Sequence, residues 1–345
     1  MLKKEYIRLI QKLSNPSLNG RVPGTKGHEI ARRLILEQFE KLSLTPLLEK
    51  RWEQTYTAFD GKIGRNLLAR RKGHNDKWLL LGAHYDHING CPGANDNAAA
   101  IGILLSVLDS LKSSNLNINI VLAIFDMEEH RYFLTKSMGS IYFYRESQKR
   151  LNYDHFLGAF ILDLCGHSVG VKDRENSLFV IGANTSLILS KSIEITQNHM
   201  ENLQIYRLRS RRLFYLSDNY IFDRNRKPNL FFTCGHDPYY HTPKDTFEKL
   251  NLEKISNIST YISHCILTIN RKFGDSTAEL LLSSGDNPPF DHESETVELS
   301  RFLKAEIGPH HNLDRICDFL IRELSKTPNN DLESIKSTLK TLRIL

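Results

Sequence analysis

Short apolar runs alternate with helical patterns along most of the chain, and this alternation limits the folds open to it. The apolar or β-branched runs have the length of buried strands. They lie at residues 78–83, 119–125, 157–162, 177–181 and 229–233. Helical patterns come between them, at about residues 96–112, 136–148 and 184–199. The alternation predicts an α/β fold with a mixed, mainly parallel central sheet and helices on both faces.

The N-terminal part adds helical patterns and two further strands. Residues 26–42 repeat apolar side chains with the 3.6-residue period of an amphipathic helix. Residues 51–57 and 65–71 are typical of two paired outer strands. The first 21 residues have basic side chains but no apolar stretch of signal-peptide length, so we expect a short amphipathic helix there.

A change of character near residue 275 predicts a domain boundary. Residues 1–275 would form the main domain, and residues 276–345 a linker with a C-terminal helical extension. The linker is indicated by Gly, Ser and a Pro-Pro pair. Three amphipathic patterns follow it, from Val297 to Ile307, Leu313 to Leu324 and Leu332 to Leu342.

Composition excludes several classes of protein. The 345 residues are 40% hydrophobic and 25% charged, which is typical of a globular chain. The net charge of +6 is spread along the chain without a basic recognition motif, so we expect no nucleic-acid partner. No apolar run is long enough to span a membrane. Five scattered cysteines favour free thiols and a cytoplasmic location, with signal-independent export left open; the oligomeric state is also open.

Acidic and histidine side chains follow several of the predicted strands at their C-terminal ends. In open α/β sheets this edge binds ligands. The residues concerned are His84, Asp86, Asp126, Glu128, Glu129 and Asp163.

Residues 81–102 point to the kind of ligand. Two apolar elements enclose His84, Asp86 and Asp96, with no Lys or Arg between them. A buried carboxylate without a partner is strongly disfavoured, so a metal cation is expected. Mixed histidine and carboxylate donors, to which His241 adds another, suit zinc, with manganese or cobalt as substitutes. This set of donors fits two metal ions better than one. The two ions would share a bridging Asp, and one glutamate would remain free to take a proton from water.

Six sequence blocks resemble one known family in their order and approximate spacing. They are GAHYDH, PGANDNAAA, DMEEH, ILDLCGH, SDNYIF and YYHTPKDT, and the likeness extends over about residues 15–272. The chain resembles the di-zinc aminopeptidases of metallopeptidase family 28, of the bacterial leucyl aminopeptidase type. The resemblance implies the zinc-exopeptidase (phosphorylase/hydrolase-like) fold. It also implies two zinc ions, one bound by His84 and Asp163, the other by His241 and Glu129, with Asp96 bridging them.

The resemblance further implies a reaction. A metal-bound hydroxide would hydrolyse the first residue from peptides that have a free N-terminus, with Glu128 as general base. Asp86 would orient His84, and Tyr240 would assist polarisation of the carbonyl. His87, His167 and His236 match no ligand position and are expected to be supporting or structural residues.

Departures from the family pattern leave the side-chain preference open. The segment 130–138 is longer than usual, and Lys244 stands where an acidic residue is frequent. Asn95 replaces a frequent Asp, although the bridging Asp96 is kept. The arginines at 207, 209, 211 and 212 fit a solvated basic segment, with an anion-binding role left open.

Two other functions remain open from the sequence. One is a glutaminyl cyclase, a one-zinc transferase of the same fold, which the LDL around Asp163 also resembles. YYHTPKDT and the SDN block favour the peptidase instead. The other is a non-catalytic relative that acts as a binding module, which the complete donor set argues against.

Overall fold

A twisted sheet of nine strands organises the part of the chain that the computed structural model describes, which is residues 2–170, 173–208 and 217–273. The predicted linker and C-terminal helices lie outside these residues, as do Arg209, Arg211 and Arg212. The strands are β1 (Thr45–Pro46), β2 (Glu53–Thr57), β3 (Ile63–Arg71), β4 (Trp78–His84), β5 (Asn119–Phe125), β6 (Phe156–Leu162), β7 (Ser177–Ile181), β8 (Gln204–Leu208) and β9 (Asn229–Thr233).

The sheet has the order β1-β3-β5-β4-β6-β9-β7-β8, and β2 also pairs with β3. Its centre, from β5 through β4 and β6 to β9, is parallel. Every residue of β4 and β6 is buried, as expected for strands with helices on both faces. The predicted mixed, mainly parallel α/β fold is therefore confirmed.

Seven α-helices of the described ranges cover the two faces. They are α1 (Lys4–Leu13), α2 (Lys26–Lys41), α3 (Ala99–Ser110), α4 (Gly139–Ser147), α5 (Leu187–Gln197), α6 (Tyr220–Arg224) and α7 (Leu252–Phe273). Side chains of β4 alternate between two cores: Leu79 and Leu81 pack with α1, α2, α3, α5 and α7, whereas Leu80 packs with α4 and α6. No helix in the described ranges combines the length and apolar character that crossing a membrane requires.

Some sequence-based expectations need correction. The 65–71 segment is predicted to be an outer strand, but β3 lies between β5 and the β1 and β2 strands. The apolar residues at its centre, Leu67, Leu68 and Ala69, are completely buried there. The strand β8 and the helices α6 and α7 were not predicted. The helix predicted from residue 96 begins at Ala99, since the preceding turn, Ala94–Ala98, departs from helical geometry.

Candidate metal centre

His84 is the last residue of β4, and it brings one nitrogen to the C-terminal edge of the sheet. Its ring is buried, and Nδ1 lies 3.1 Å from the backbone carbonyl of Asp86. Nε2 has no hydrogen bond of good geometry within the described residues. It lies 3.2 Å from Asp96 Oδ1 and 3.5 Å from Asp163 Oδ1. A buried nitrogen that faces two carboxylates in this way has the position of a metal ligand.

Asp96 faces two histidines with its two oxygens. Oδ1 lies 3.2 Å from His84 Nε2, and Oδ2 lies 3.2 Å from His241 Nε2. The backbone N–H groups of Asn95 and Asp96 donate to the carboxylate of Asp245, at 2.8 and 3.1 Å. This pair of bonds fixes the turn that carries Asp96. One carboxylate therefore belongs to two neighbouring donor sets, as the bridging assignment requires.

Arg21 supports the same loop from the N-terminal segment. Its guanidinium is completely buried and donates to five backbone carbonyls. The acceptors are those of Leu13, Tyr85, Pro92, Gly93 and Asp96. Gly93 has φ +63, and a Cβ there would lie 2.4 Å from the Asp96 carbonyl and 2.6 Å from the guanidinium, so only glycine fits. A cation is thus present beside the acidic loop, although it comes from outside residues 81–102.

The turn after β5 separates Glu128 from Glu129. Met127 has φ +57, and the N–H groups of both glutamates donate to the Asp86 carboxylate, at 3.0 and 3.1 Å. As a result the two side chains diverge. Glu128 Oε2 lies 3.9 Å from His84 Nε2, and Glu129 Oε2 lies 3.1 Å from His241 Nε2.

Asp86 therefore contacts more of the site than the sequence suggested. Its carboxylate lies 3.7 Å from His84 Nδ1, so its predicted role in orienting His84 stays a prediction. Its hydrogen bonds fix the backbone of the glutamate turn instead.

Asp126 has the sequence position of a ligand but is saturated by other partners. Oδ1 lies 2.8 Å from His28 Nε2 and accepts the N–H of Met127. Oδ2 accepts from the Arg65 N–H at 2.7 Å and the Tyr85 hydroxyl at 3.2 Å. Asp126 thus supports the centre from behind and has no oxygen free for a metal.

The distances between donor atoms test whether metal ions fit. Ligands 2.0–2.2 Å from a tetrahedral zinc ion lie roughly 3.3–3.6 Å from one another. His84 Nε2 lies 3.2 Å from the carboxylate of Asp96 and 3.5 Å from that of Asp163. His241 Nε2 lies 3.2 Å from the carboxylate of Asp96 and 3.1 Å from that of Glu129. Nε2 of both histidines and Oδ1 of Asp163 are also buried without hydrogen bonds of good geometry in the described chain. The donor atoms fit two zinc-type ions.

His87 lies close to the second donor set but differs from its other members. Its side chain, with those of Asp96, Glu129 and His241, offers donor atoms within 4.8 Å of one another. However, Nδ1 is 2.6 Å from Glu129 Oε1, which is a hydrogen-bond distance, and 3.7 Å from Asp96 Oδ2. Two ligands of one ion would not lie as close as 2.6 Å, so we place His87 outside the metal's coordination sphere.

His241 lies in the loop that follows β9, and it is the most solvent-exposed member of the centre. Its φ is +56, and its side chain is 30% exposed. The Tyr240 ring stacks on the His241 ring at 3.8 Å and on the His236 ring at 4.1 Å. Burial raises the pKa of Tyr240, so its hydroxyl keeps its proton. The proposed action of this hydroxyl on a carbonyl remains a prediction.

Burial and charge give the neighbouring glutamates different acidities. Burial raises the pKa of Glu128 well above its ordinary value, although His84 opposes the shift. Burial also acts to raise the pKa of Glu129, but the neighbouring His241 and His87 rings hold it below the ordinary value. Glu128 is therefore suited to take up a proton, and Glu129 to remain ionised.

The structure thus brings together all five predicted ligands, with Glu128, Asp86 and Tyr240 beside them. Sequence reasoning missed Arg21, Asp245 and Asp218. Asp245 lies inside the block YYHTPKDT and Arg21 in the N-terminal segment LNGRVPGTKGHE, but nothing local showed their contacts. Asp218, from SDNYIF, is completely buried, and burial raises its pKa to about 7 although His84 opposes the shift.

Residues 66–266, more than half of the chain, match the profile of Peptidase family M28. Aminopeptidase YwaD of Bacillus subtilis is 24% identical over 227 residues, which cover 62% of this chain and 47% of that protein. The chain thus spans about half the length of this curated relative.

Two solved structures illustrate the shared fold. The glutaminyl cyclase of Porphyromonas gingivalis superposes with a TM-score of 0.60 at 17% identity, covering 76% of this chain and 96% of that one. BSAP, a zinc aminopeptidase from Bacillus subtilis, superposes with a TM-score of 0.60 at 16% identity, covering 77% and 95%. At these identities the likeness shows the fold alone.

Proposed function

The chain belongs to peptidase family M28, and from this premise we propose that it is a zinc-dependent aminopeptidase. It would remove the first residue from peptides with a free N-terminus. The observation that carries the proposal is the pair of donor sets sharing Asp96, with His84 and Asp163 on one side and His241 and Glu129 on the other.

Zinc is the proposed metal because two histidines and three carboxylates supply the donors. Bound there, two ions would polarise a peptide carbonyl and lower the pKa of water. The family membership and the zinc aminopeptidase BSAP of the same fold support this choice.

Glu128 is the proposed general base. Its carboxylate takes a proton from the attacking water and returns it to the nitrogen of the leaving peptide. Burial raises the pKa of Glu128, which favours uptake of a proton by its carboxylate. The backbone bonds to Asp86 fix the turn from which the Glu128 and Glu129 side chains diverge, so the two carboxylates can have different roles.

The acidic surroundings support a substrate with a free amine. Within the described centre carboxylates outnumber histidines, and Asp96, Glu128 and Glu129 are all buried. A free amino terminus can donate N–H groups to these carboxylates, whereas an acetylated one has fewer N–H donors.

Metal analysis and substrate assays test the proposal. We expect about two zinc ions per chain after gentle purification, and hydrolysis of unblocked aminoacyl substrates that chelation abolishes and zinc restores. N-acetylated analogues should be poor substrates. One ion or none under saturating zinc, or efficient cleavage of blocked peptides, would contradict the proposal.

Glutaminyl cyclase activity is the second candidate, because a bacterial glutaminyl cyclase shares the fold over most of its length. An N-terminal glutaminyl peptide separates the two functions. Cyclisation without hydrolysis would favour the cyclase, and binding of peptides with neither reaction would favour a non-catalytic relative.

We also propose that the catalytic domain ends near residue 275. All members of the centre, including the supporting Asp245, precede this position. Deleting residues 285–345 should therefore leave zinc content unchanged. A folded truncated protein that has lost zinc would show that the boundary is misplaced.

A further inference from the structure

His87 makes a hydrogen bond for which the proposed chemistry does not account. Its side chain is completely buried, and Nδ1 lies 2.6 Å from Glu129 Oε1. Because an ionised carboxylate can only accept, Nδ1 carries the proton of this bond. The other oxygen of Glu129, Oε2, lies 3.1 Å from His241 Nε2. Each oxygen of the Glu129 carboxylate therefore faces a different histidine.

Few other contacts orient the Glu129 side chain. Its N–H donates to Asp86, and its carbonyl accepts from Tyr132 and Phe133, so these bonds fix only the backbone. Among the described residues, the hydrogen bond from His87 is the one that reaches the carboxylate. A glutamate side chain has three rotatable bonds, and an unheld carboxylate would lose conformational entropy when it binds a metal.

The His87 ring is positioned by packing, since its Nε2 is buried without a hydrogen bond of good geometry in the described residues. A Cβ at Gly93 would lie 2.6 Å from its Cδ2, so the ring rests against the backbone of that glycine. The ring also makes an edge-type contact with the His241 ring, with centroids 5.7 Å apart and planes 60° apart. A rigid donor of this kind orients its acceptor at little further entropic cost.

We propose that His87 is a positioning residue for Glu129: by donating Nδ1–H to Oε1, it presents Oε2 to the metal site that Glu129 shares with His241. This inference rests on the proposed zinc function and extends it to a residue outside the family's ligand positions. Substituting a residue that hydrogen-bonds to a metal ligand commonly lowers metal affinity by about 10–100-fold.

Three substitutions test the role through zinc affinity, measured by competition with a chromophoric chelator. The Asn amide nitrogen lies about where His Nδ1 lies, whereas the Gln amide nitrogen lies about where Nε2 lies. His87→Asn should therefore keep both zinc affinities close to those of the unchanged protein. His87→Gln and His87→Leu should weaken one of the two ions by about 10–100-fold and leave the other unchanged.

A matched control separates positioning from general damage to the core. His28 is another buried histidine, bonded to Asp126 behind the centre. His28→Leu should lower thermal stability without weakening one zinc ion selectively.

The outcomes distinguish this inference from the proposed function. Unchanged zinc affinity in His87→Leu, or equal losses in the Asn and Leu variants, would overturn the positioning role. Complete loss of one ion in all three variants would make His87 a ligand instead. If the unchanged protein binds fewer than two zinc ions, the proposed function itself fails.

Discussion

The two sides of the metal centre are built by different parts of the fold. The strand side consists of His84, Asp163 and Glu128, and the loop side of His241, Glu129 and His87; Asp96 lies between them. His84 ends β4 and Asp163 directly follows β6, and these strands are hydrogen-bonded neighbours in the parallel sheet. The strand side thus inherits its geometry from the rigid core of the sheet.

The loop side depends on contacts between side chains. His241 lies in a loop at φ +56 and is 30% exposed, whereas His84 is 1% exposed. Its partner Glu129 is oriented by the hydrogen bond from His87. One metal centre can thus combine a binding site fixed by secondary structure with a second site that becomes accessible to solvent when a loop opens locally.

The charges on the two sides also differ. Near the strand side, burial raises the pKa of Asp86 to about 6 and that of Asp218 to about 7. On the loop side, burial lowers the pKa of His87 and His241, but nearby carboxylates outweigh it and raise these values to about 9 and about 10. On the strand side, burial likewise lowers the pKa of His84, but Glu128 and Asp163 outweigh it and raise this pKa well above its ordinary value. The two sides therefore differ in their glutamates, since the pKa of Glu128 is raised and that of Glu129 is lowered.

The largest expected effect separates the adjacent glutamates. Glu128→Gln should keep both zinc ions but lower kcat by about 10²–10⁴-fold, because the proton acceptor is lost. Glu129→Gln should instead reduce zinc retention on the loop side. Steady-state kinetics with metal analysis of both variants checks this assignment. If the two activities decline only in proportion to metal content, the division of roles is wrong.

Zinc release should distinguish the two sides next. We expect a chelator to remove zinc in two phases, with the faster phase from the loop side, because His241 is partly exposed. His241→Ala should eliminate the fast phase, and Asp163→Ala the slow one. Stopped-flow release with a chromophoric chelator measures both. A single phase for two equivalent ions would remove the distinction between the sides.

Arg21 should affect both sides equally, since it fixes the loop that carries their shared ligand. Arg21→Met leaves several buried carbonyls unpaired and should lower the free energy of unfolding by at least about 3 kcal/mol. Denaturant unfolding of the zinc-loaded protein measures the loss. Arg33→Met is the matched control: that side chain is 70% exposed and should contribute little. Equal losses in the two variants would argue against the support by Arg21.

The smallest effect is the pH dependence of the metal-free protein. Raised carboxylate pKa values stabilise the fold below about 4, and this contribution is lost as the pH rises through about 6–7. Raised histidine pKa values stabilise it below about 6.5, and this contribution is lost through about 9–10. The melting temperature after chelation should therefore fall in two stages with rising pH.

Asp218→Asn should flatten the first stage of this decline and leave the second unchanged. Thermal unfolding at a series of pH values measures both stages. A melting temperature that rises between pH 4 and 7 would contradict the assigned directions.

The strand side was more predictable than the loop side. His84 and Asp163 directly follow apolar runs whose strand character is a local property of the chain, so their shared edge could be inferred. The ligand roles of all four residues, His241 and Glu129 included, were assigned through family resemblance, and the position of the His241 loop could not be read from side-chain periodicity. The hydrogen bond between His87 and Glu129 could not be predicted, since it depends on how two separate turns face each other.

The order of amino acids was enough to establish the α/β class, the mainly parallel sheet and the donor residues at its C-terminal edge. These features follow from local periodicity and from short motifs in which neighbouring residues are read together. Only the tertiary structure decided that Arg21 supports the acidic loop, that Asp126 is saturated by other partners and that Asp96 faces both histidines. Such contacts join residues far apart in the chain, and a hydrogen bond or metal site is decided by differences of a few tenths of an ångström that residue spacing does not encode.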